Sequence, residues 1–444
     1  MIYNRPSNFD GDINFTLGAF FEDSERTFSA PIQLVTPVVY QIFGAFLPPP
    51  LAGDIQPFDG GGLYDGAYLN GHQIWDNDVE SFSVFAGIDW QLTEDLELSG
   101  GLRYTDEERS ASGGNVFENA GFFNFSPSGV TYNPSTDSDN VSPEVTLSYH
   151  FNSDVMGFVS YKTGFQAGGI SNPGTVPNLS ALPVEVQNSV LAFDETEVEG
   201  IEVGLKGRFM DGRMRAELGA FFYELEDLQV GIFNSATVSV TLQNAAVAHN
   251  WGLEANILYY VNERLQLRFA GQYNKLEYDE WEDASCHSID NAIPAALLPT
   301  TGPGCHVTTD PLTGASVKIQ DLSGVRYGGP SLQLNAGLTY ERPLTEGWGL
   351  GFSWDTIYHS EGERTLNQPG TEIPSRTVTH LALSVYQEEG PWQANLMCSN
   401  CFNEIYVTRI GNKPLQKIIP GVAGDMIADL ATPRLLTLSI TYSL

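Results

Sequence analysis

The chain has 444 residues, of which 55 are Asp or Glu and 21 Lys or Arg, giving a formal charge of −34. A polyanion of this kind repels nucleic acid and other anionic surfaces, so a nucleic-acid partner is excluded. Cysteine is scarce, and no segment reaches the roughly 18 apolar residues of a membrane helix.

Segments of alternating polarity run through the chain, and side chains in a strand point to opposite faces in turn. Leu96, Leu98, Leu102 and Tyr104 alternate with Glu97, Ser99 and Arg103. Ile201, Val203, Leu205 and Phe209 oppose Glu202, Lys206 and Arg208, and Met214, Ala216, Leu218 and Phe222 oppose Arg213, Arg215 and Glu217. Leu265, Leu267 and Phe269 oppose Gln266 and Arg268; Leu332, Leu334, Leu338 and Tyr340 oppose Gln333, Asn335 and Glu341. The last segment sets Leu436, Leu438, Ile440, Tyr442 and Leu444 against Thr437, Ser439, Thr441 and Ser443. Such segments have the length with which a tilted strand crosses a bilayer, about 9–11 residues. Charge keeps to one face.

About fourteen strands are expected, starting near Asp12, Val79, Asp95, Asn140, Asp154, Glu195, Gly212, Val238, Arg264, Gly329, Gly347, Arg376, Pro391 and Thr432. A half-buried sheet of a soluble sandwich also alternates, but the connections here are lopsided. One set is tight and rich in turn residues: Asn8-Phe9-Asp10-Gly11, Thr93-Glu94-Asp95, Asn152-Ser153-Asp154, Asp211-Gly212, Asn262-Glu263, Thr345-Glu346-Gly347 and Glu388-Glu389-Gly390. The other set is long, between about Glu22 and Val79, Arg109 and Asn140, Gly168 and Phe193, Asp279 and Tyr327, Ser360 and Arg376, and Val407 and Thr432; only the connection near Asn234 is short. The fold class is therefore all-β, a transmembrane antiparallel β-barrel with short periplasmic turns and long extracellular loops. Phe20, Phe21, Trp90, Tyr161, Tyr259, Trp348, Trp354, Tyr358 and Trp392 are candidates for its two aromatic girdles.

The loops hold the candidate site residues. Tyr64, Tyr68, Trp75, Phe122, Phe123 and Phe125 are candidate extracellular ligand contacts, rings able to stack on a siderophore or sugar. Packing the loops together is the favoured alternative for them. Acidic clusters at Asp106-Glu107-Glu108, Glu224 with Glu226-Asp227, and Asp279-Glu280 with Glu282-Asp283 could attract divalent cations, with a solvated surface as the commoner outcome. Cys286 and Cys305 share one long extracellular loop, so a disulfide is expected in that oxidising setting. The adjoining His287 and His306 leave zinc as the lesser reading. Cys398 and Cys401 form a Cys-x-x-Cys within a strand, where that spacing puts them on opposite faces unless the chain bulges. The seven histidines are scattered outside any metalloprotease or nucleophile motif, and no glycine pair opens a helix, so neither enzyme, cofactor nor resident metal is expected.

Several stretches resemble the barrel of TonB-dependent outer-membrane receptors. Val141 to Tyr149 is followed by Phe158-Val159-Ser160-Tyr161-Lys162-Thr163-Gly164-Phe165-Gln166-Ala167-Gly168-Gly169, similar to the family's Tyr-x-x-Gly-Phe-Arg-x-Gly-Gly, with Gln166 in the Arg position. Glu199 to Lys206, Phe221-Phe222-Tyr223 with Asp227-Leu228-Gln229, and Asn244-Ala245-Ala246 with Trp251-Gly252-Leu253-Glu254 follow in the family's order. Asn400-Cys401-Phe402-Asn403-Glu404-Ile405-Tyr406 resembles its Asn-Leu-Phe-Asp-x-x-Tyr. The closing strand resembles the family's assembly signal but ends in Leu444 where an aromatic is customary.

The resemblance implies an outer-membrane importer with about 22 strands and a plug domain, which captures a scarce small molecule such as an iron chelate, cobalamin or a glycan. On that pattern residues 1–444 are one barrel domain, incomplete at its N-terminus by about seven or eight strands and without the plug. Such a chain would meet outer-membrane lipid directly, and the TonB complex only through the missing N-terminal part. Two other functions are weighed against the partial receptor: a plugless passive outer-membrane channel, and a soluble β-rich binding protein or enzyme.

Overall fold

The computed structural model describes all residues except 1, 7–12, 36–67, 118–128, 173–178, 180–181, 235–238, 288–289, 291–292, 294, 310–313, 315, 327, 364–367, 369, 413–425 and 444. Fifteen strands form one antiparallel sheet in which every neighbour in space is the neighbour in sequence. They are β1 (Ile2–Pro6), β2 (Ile13–Val35), β3 (Tyr68–Gln91), β4 (Leu96–Phe117), β5 (Ser135–Asn152), β6 (Val155–Gln166), β7 (Thr196–Phe209), β8 (Met214–Asn234), β9 (Ser239–Asn262), β10 (Leu265–Glu280), β11 (Leu332–Thr345), β12 (Trp348–His359), β13 (Arg376–Gln387), β14 (Trp392–Ser399) and β15 (Leu435–Tyr442). The fourteen expected strands are present in order, and β1 is added before them. No pairing joins β1 to β15 among the described residues.

The register carries the sequence alternation across the whole wall. Leu147, Val159, Val203, Ala220, Leu253 and Tyr273 lie opposite one another on successive strands, as do Leu334, Gly271, Ala255, Leu218, Leu205 and Gly157. One continuous apolar face results, and it is exposed: Leu253 keeps 56% of its surface and Leu438 68%. Apolar area on that scale in a chain so rich in acid belongs against lipid, not water. The other face is polar and carries ion pairs, Lys162 Nζ to Glu202 Oε2 at 2.7 Å between the adjacent β6 and β7, and Arg268 to Asp355 Oδ1 at 2.8 Å from β10 to β12 across Gly337 of β11. Phe20 departs from expectation: it lies opposite Ser83, on the polar face, while Phe21 faces outward opposite Phe82.

The tight turns close as their residues dictate. Asn152 Oδ1 accepts from Asp154 N at 2.8 Å, and Asn262 Oδ1 from Arg264 N at 2.9 Å and Leu265 N at 3.0 Å, side chains standing in for turn backbone. Met210, Asp211 and Gly212 all take positive φ (53°, 57° and 81°) to turn β7 into β8. The turn at Asn8-Phe9-Asp10-Gly11 lies outside the described residues.

The long connections need correction, because much of their length is strand. β2 has 23 residues, about 75 Å at roughly 3.3 Å each, and its ladder with β3 continues to Val35 opposite Tyr68. The stretches from Glu22 to Val35 and from Tyr68 to Val79 are thus wall, not loop. The same holds between Arg109 and Phe117 in β4 and from Ser135 in β5. Hydrophobic alternation stops where lipid stops, whereas backbone pairing continues into the aqueous region, so the sequence signal marks the bilayer edge and not the strand end. The change is abrupt on the outward face: Phe21 gives way to Asp23, Phe82 to Glu80, Tyr104 to Asp106, Val141 to Asp139, Ile201 to Glu199 and Phe222 to Glu224.

Candidate functional site

Two compact lobes fold against the polar face of the strand extensions at the long-loop end, the face that a barrel turns toward its lumen. The first is the connection from β6 to β7. Gly169–Ile170 pairs with Ala192–Phe193, and helix α1 (Val184–Leu191) lies between them. Leu179 and Leu191 pack on Trp75 and Ala111 of the wall and on Tyr132, which bridges to Gly113 of β4. Polar contacts hold the same seam: Gln73 Nε2 donates to Asn172 O at 3.3 Å, and Asn172 Nδ2 to Asn77 Oδ1 at 3.1 Å.

The ends of this lobe are fastened by the family-like motif residues. Gln229 Nε2 donates to Ala167 O and Asp194 O, both at 3.0 Å, so one side chain ties the exit of β6 to the entry of β7. Asn244 Nδ2 donates to Asp194 O at 3.0 Å and Asp227 O at 2.8 Å, while its Oδ1 accepts from Asp194 N at 2.9 Å. Thr196 Oγ1 also donates to Asp227 O, at 2.9 Å. Asp227 reaches this position through a left-handed φ of 51°, which a short polar side chain tolerates. The Asp-Leu-Gln and Asn-Ala-Ala stretches therefore act as a clasp for the lobe.

The clasp is crowded with acids. Burial raises the Glu195 carboxyl above its usual range, and Glu197, Asp139 and Asp194 raise it further against a hydrogen bond from Ser138. Asp227 is raised by burial and then by Asp194. Among the described residues no ion pair involves any of these five groups. This concentration of charge could not be read from the sequence, since its members come from β5, β7, β8 and the intervening loop.

The second lobe is the connection from β10 to β11. Ala284–Ser285 and His306–Thr309 flank Ser316–Gln320 in a small antiparallel sheet. Tyr278, Trp281, Ala284 and Leu322 pack on Ala248 of β9, with the Tyr278 and Trp281 rings 4.7 Å apart. Cys286 and Cys305 are bonded to each other within it, so neither is free to ligate zinc. His287 is held by Asp290, Nε2 to Oδ2 at 3.3 Å, and burial lowers its pKa while Asp290 opposes the shift. Cys398 and Cys401 are also joined. The chain leaves β14 at Ser399 and turns at Asn400, φ 50°, which overcomes the opposite-face geometry of a continuous strand.

Of the six candidate contact aromatics, two fall among the described residues. Trp75 is 0% exposed, in the middle of the first lobe's seam. Tyr68 is the first residue of β3. Tyr64, Phe122, Phe123 and Phe125 lie outside the described residues. The acidic triad at Asp106-Glu107-Glu108 is split by the strand's alternation, since Glu107 turns to the polar face and receives Arg109 Nε at 2.6 Å. Among the described residues no group of three or more His, Cys, Asp or Glu side chains is placed to hold a metal ion.

Comparison with solved structures gives the same architecture. The ferric yersiniabactin uptake receptor FyuA from Yersinia pestis aligns with 99% of this chain and 56% of its own length, at 11% identity and a TM-score of 0.59. The siderophore receptor PiuA from Acinetobacter baumannii aligns over 99% and 54%, at 15% identity and a TM-score of 0.60. The ferric-catecholate import receptor Fiu from K12 E. coli, in its closed form, aligns over 97% and 55%, at 12% identity and 0.53. At these identities the likeness speaks for the fold, and the chain spans little more than half the length of the proteins it matches. The sequence profile described as TonB dependent receptor-like, beta-barrel matches residues 2–400. Proteins of that kind are receptors and transporters of the bacterial outer membrane, not enzymes. The apolar outward wall, the polar inner face and the sorted connections agree with the profile, and the chain belongs to the TonB-dependent receptor-like β-barrel family.

Proposed function

We propose that this chain is the wall and mouth of an outer-membrane receptor that imports a scarce small molecule of the iron-chelate class. The observation that carries the reading is the mouth itself: two packed lobes seated on the polar face, above a wall whose outward side suits only lipid. The names of the matched structures, receptors for ferric yersiniabactin, ferric catecholates and a siderophore, support an iron chelate ahead of cobalamin or a glycan. Open strand edges are not tolerated in lipid, and with β1 and β15 unpaired to each other among the described residues this reading closes the sheet with further strands. In this reading those strands, a plug and the TonB-contacting segment belong to the same receptor, and residues 1–444 contribute the barrel's later part. A passive channel gains no such support.

The test is uptake of iron-55 chelates by iron-starved cells that make the protein, compared with cells carrying a deletion of its gene. Loss of energy-dependent uptake of at least one chelate, restored by the full-length gene, is the expected result. Unchanged uptake of every chelate, together with steady ion conductance of the purified protein in planar bilayers, would replace this reading with the passive channel.

A further inference from the structure

At the long-loop end most cations already have partners or stand in water. Arg109 Nε donates to Glu107 Oε1 at 2.6 Å, Lys318 Nζ to Ile293 O at 2.7 Å and Arg326 to Ser331, while Arg26 and Arg409 are exposed. Arg376 is different. It opens β13 and is half-buried, and its guanidinium carbon lies over the Tyr406 ring, 5.1 Å from the centre. Tyr406, also half-buried, belongs to the connection from β14 to β15. The ladder sets Arg376 opposite His359 and His380 opposite Asp355, so Arg376 lies on the polar face that carries the Arg268–Asp355 pair.

The charge of Arg376 has no counterpart. Among the described residues no ion pair or side-chain hydrogen bond reaches its guanidinium, and His359 beside it has no side-chain hydrogen bond either. β13 contains no acid, and the one acid of β12, Asp355, is taken by Arg268 at 2.8 Å. Glu372, the acid nearest in sequence, accepts at Oε2 from Gly370 N at 2.9 Å. A half-buried cation without an anion is costly. A guanidinium held over a ring keeps N–H donors for a further partner, and their fork matches the two oxygens of a carboxylate. The ring also holds the fork in place before a ligand arrives, which lowers the entropy cost of binding.

We propose that the Arg376–Tyr406 pair, with His359 beside it, receives a carboxylate of the imported ligand, which makes that ligand an anionic, carboxylate-bearing iron chelate. The inference rests on the iron-chelate reading above and narrows it. A neutral chelate would leave the Arg376 charge unmet and bury it further.

Binding of ferric citrate, ferrichrome and ferric enterobactin to the full-length protein in detergent, followed by quenching of tryptophan fluorescence, tests the assignment. The first carries carboxylates, the second is a neutral hydroxamate chelate and the third an anionic catecholate chelate without a carboxylate. Ferric citrate is expected to bind tightest. Arg376→Gln should raise its Kd about tenfold or more, because charge-assisted hydrogen bonds are lost, and Arg376→Lys, which keeps the charge without the fork, should recover only part of the loss. A pair that merely stitches β13 to the connection after β14 would instead weaken every bound probe alike. Tightest binding of ferrichrome or ferric enterobactin would overturn the inference and leave the iron importer standing. Undiminished ferric citrate binding in folded R376Q, an equal loss for every bound probe, or binding of none of the three would also overturn it, whereas the importer reading is decided separately by cellular uptake. Fold is checked by the heat-dependent gel shift of each variant.

Discussion

Leu218 of β8 offers the sharpest test of the wall. It is 47% exposed on the outward face, opposite Leu205 and Ala255. It sits four residues from Met214 at the periplasmic turn and four from Phe222, after which Glu224 takes the outward position. Four residues are about 13 Å along a strand, or about 10 Å of depth at a tilt near 40°, so Leu218 is close to the bilayer midplane. Leu218→Arg should cost about 2–4 kcal/mol, whereas Phe222→Arg at the interface should cost about 0–1 kcal/mol. At 1.4 kcal/mol per decade, the midplane variant loses roughly 30- to 700-fold in its folding constant. Asn256→Arg is the control: it faces the polar side opposite Glu217 and should be nearly neutral. Denaturant titration of the full-length protein in lipid vesicles, followed by tryptophan fluorescence, measures all three. Equal costs at 218, 222 and 256 would refute the assignment of faces.

Trp75→Ala should cost about 3–5 kcal/mol of local packing and expose the first lobe to protease, with cleavage between Ala167 and Asp194 as the readout; lost ligand binding with an intact lobe would instead make Trp75 a contact residue. Replacing Cys286 and Cys305 by Ser, across a sequence separation of 19, should cost about 3 kcal/mol in the second lobe, seen as faster hydrogen exchange from Trp281 to Leu322 and unchanged exchange in β7 and β8. The two lobes should respond to pH in opposite senses. Glu195 and Asp227 have raised folded-state pKa values, so the clasp is firmest in acid and loosens as pH rises through those values. His287 has a lowered one, so its contribution is full above its ordinary value of 6.5 and is lost as pH falls through the depressed value. Hydrogen exchange corrected for intrinsic rates should show both trends, and Glu195→Gln with Asp227→Asn should remove the first; an unaltered first trend in that double variant would refute the clasp's titration.

The sequence by itself determined the wall. Alternation is a property of neighbouring residues, and a side chain's face follows from its position alone, so Leu96 to Tyr104 or Leu436 to Leu444 could be assigned without knowing what they pair with. Turn residues such as Asn152, Gly212 and Asn262 act within a few residues and were equally legible. Where strands end was not, because the extensions from Glu22 to Val35 and Tyr68 to Val79 have polar residues on both faces, and their order comes from a partner strand more than thirty residues away. The candidate site was the least legible part. Gln229 and Asn244 stood out as motif residues, yet their task as a clasp depends on carbonyls of Ala167 and Asp194, brought from the two ends of the lobe that joins β6 to β7. For Trp75 the sequence offers ligand contact with loop packing as the favoured alternative, and the structure packs it; that its partners are Leu179 and Leu191 is a long-range contact that no local pattern encodes. Local geometry fixes which face a residue takes, and only the closing of distant strands and lobes upon one another decides what that face meets.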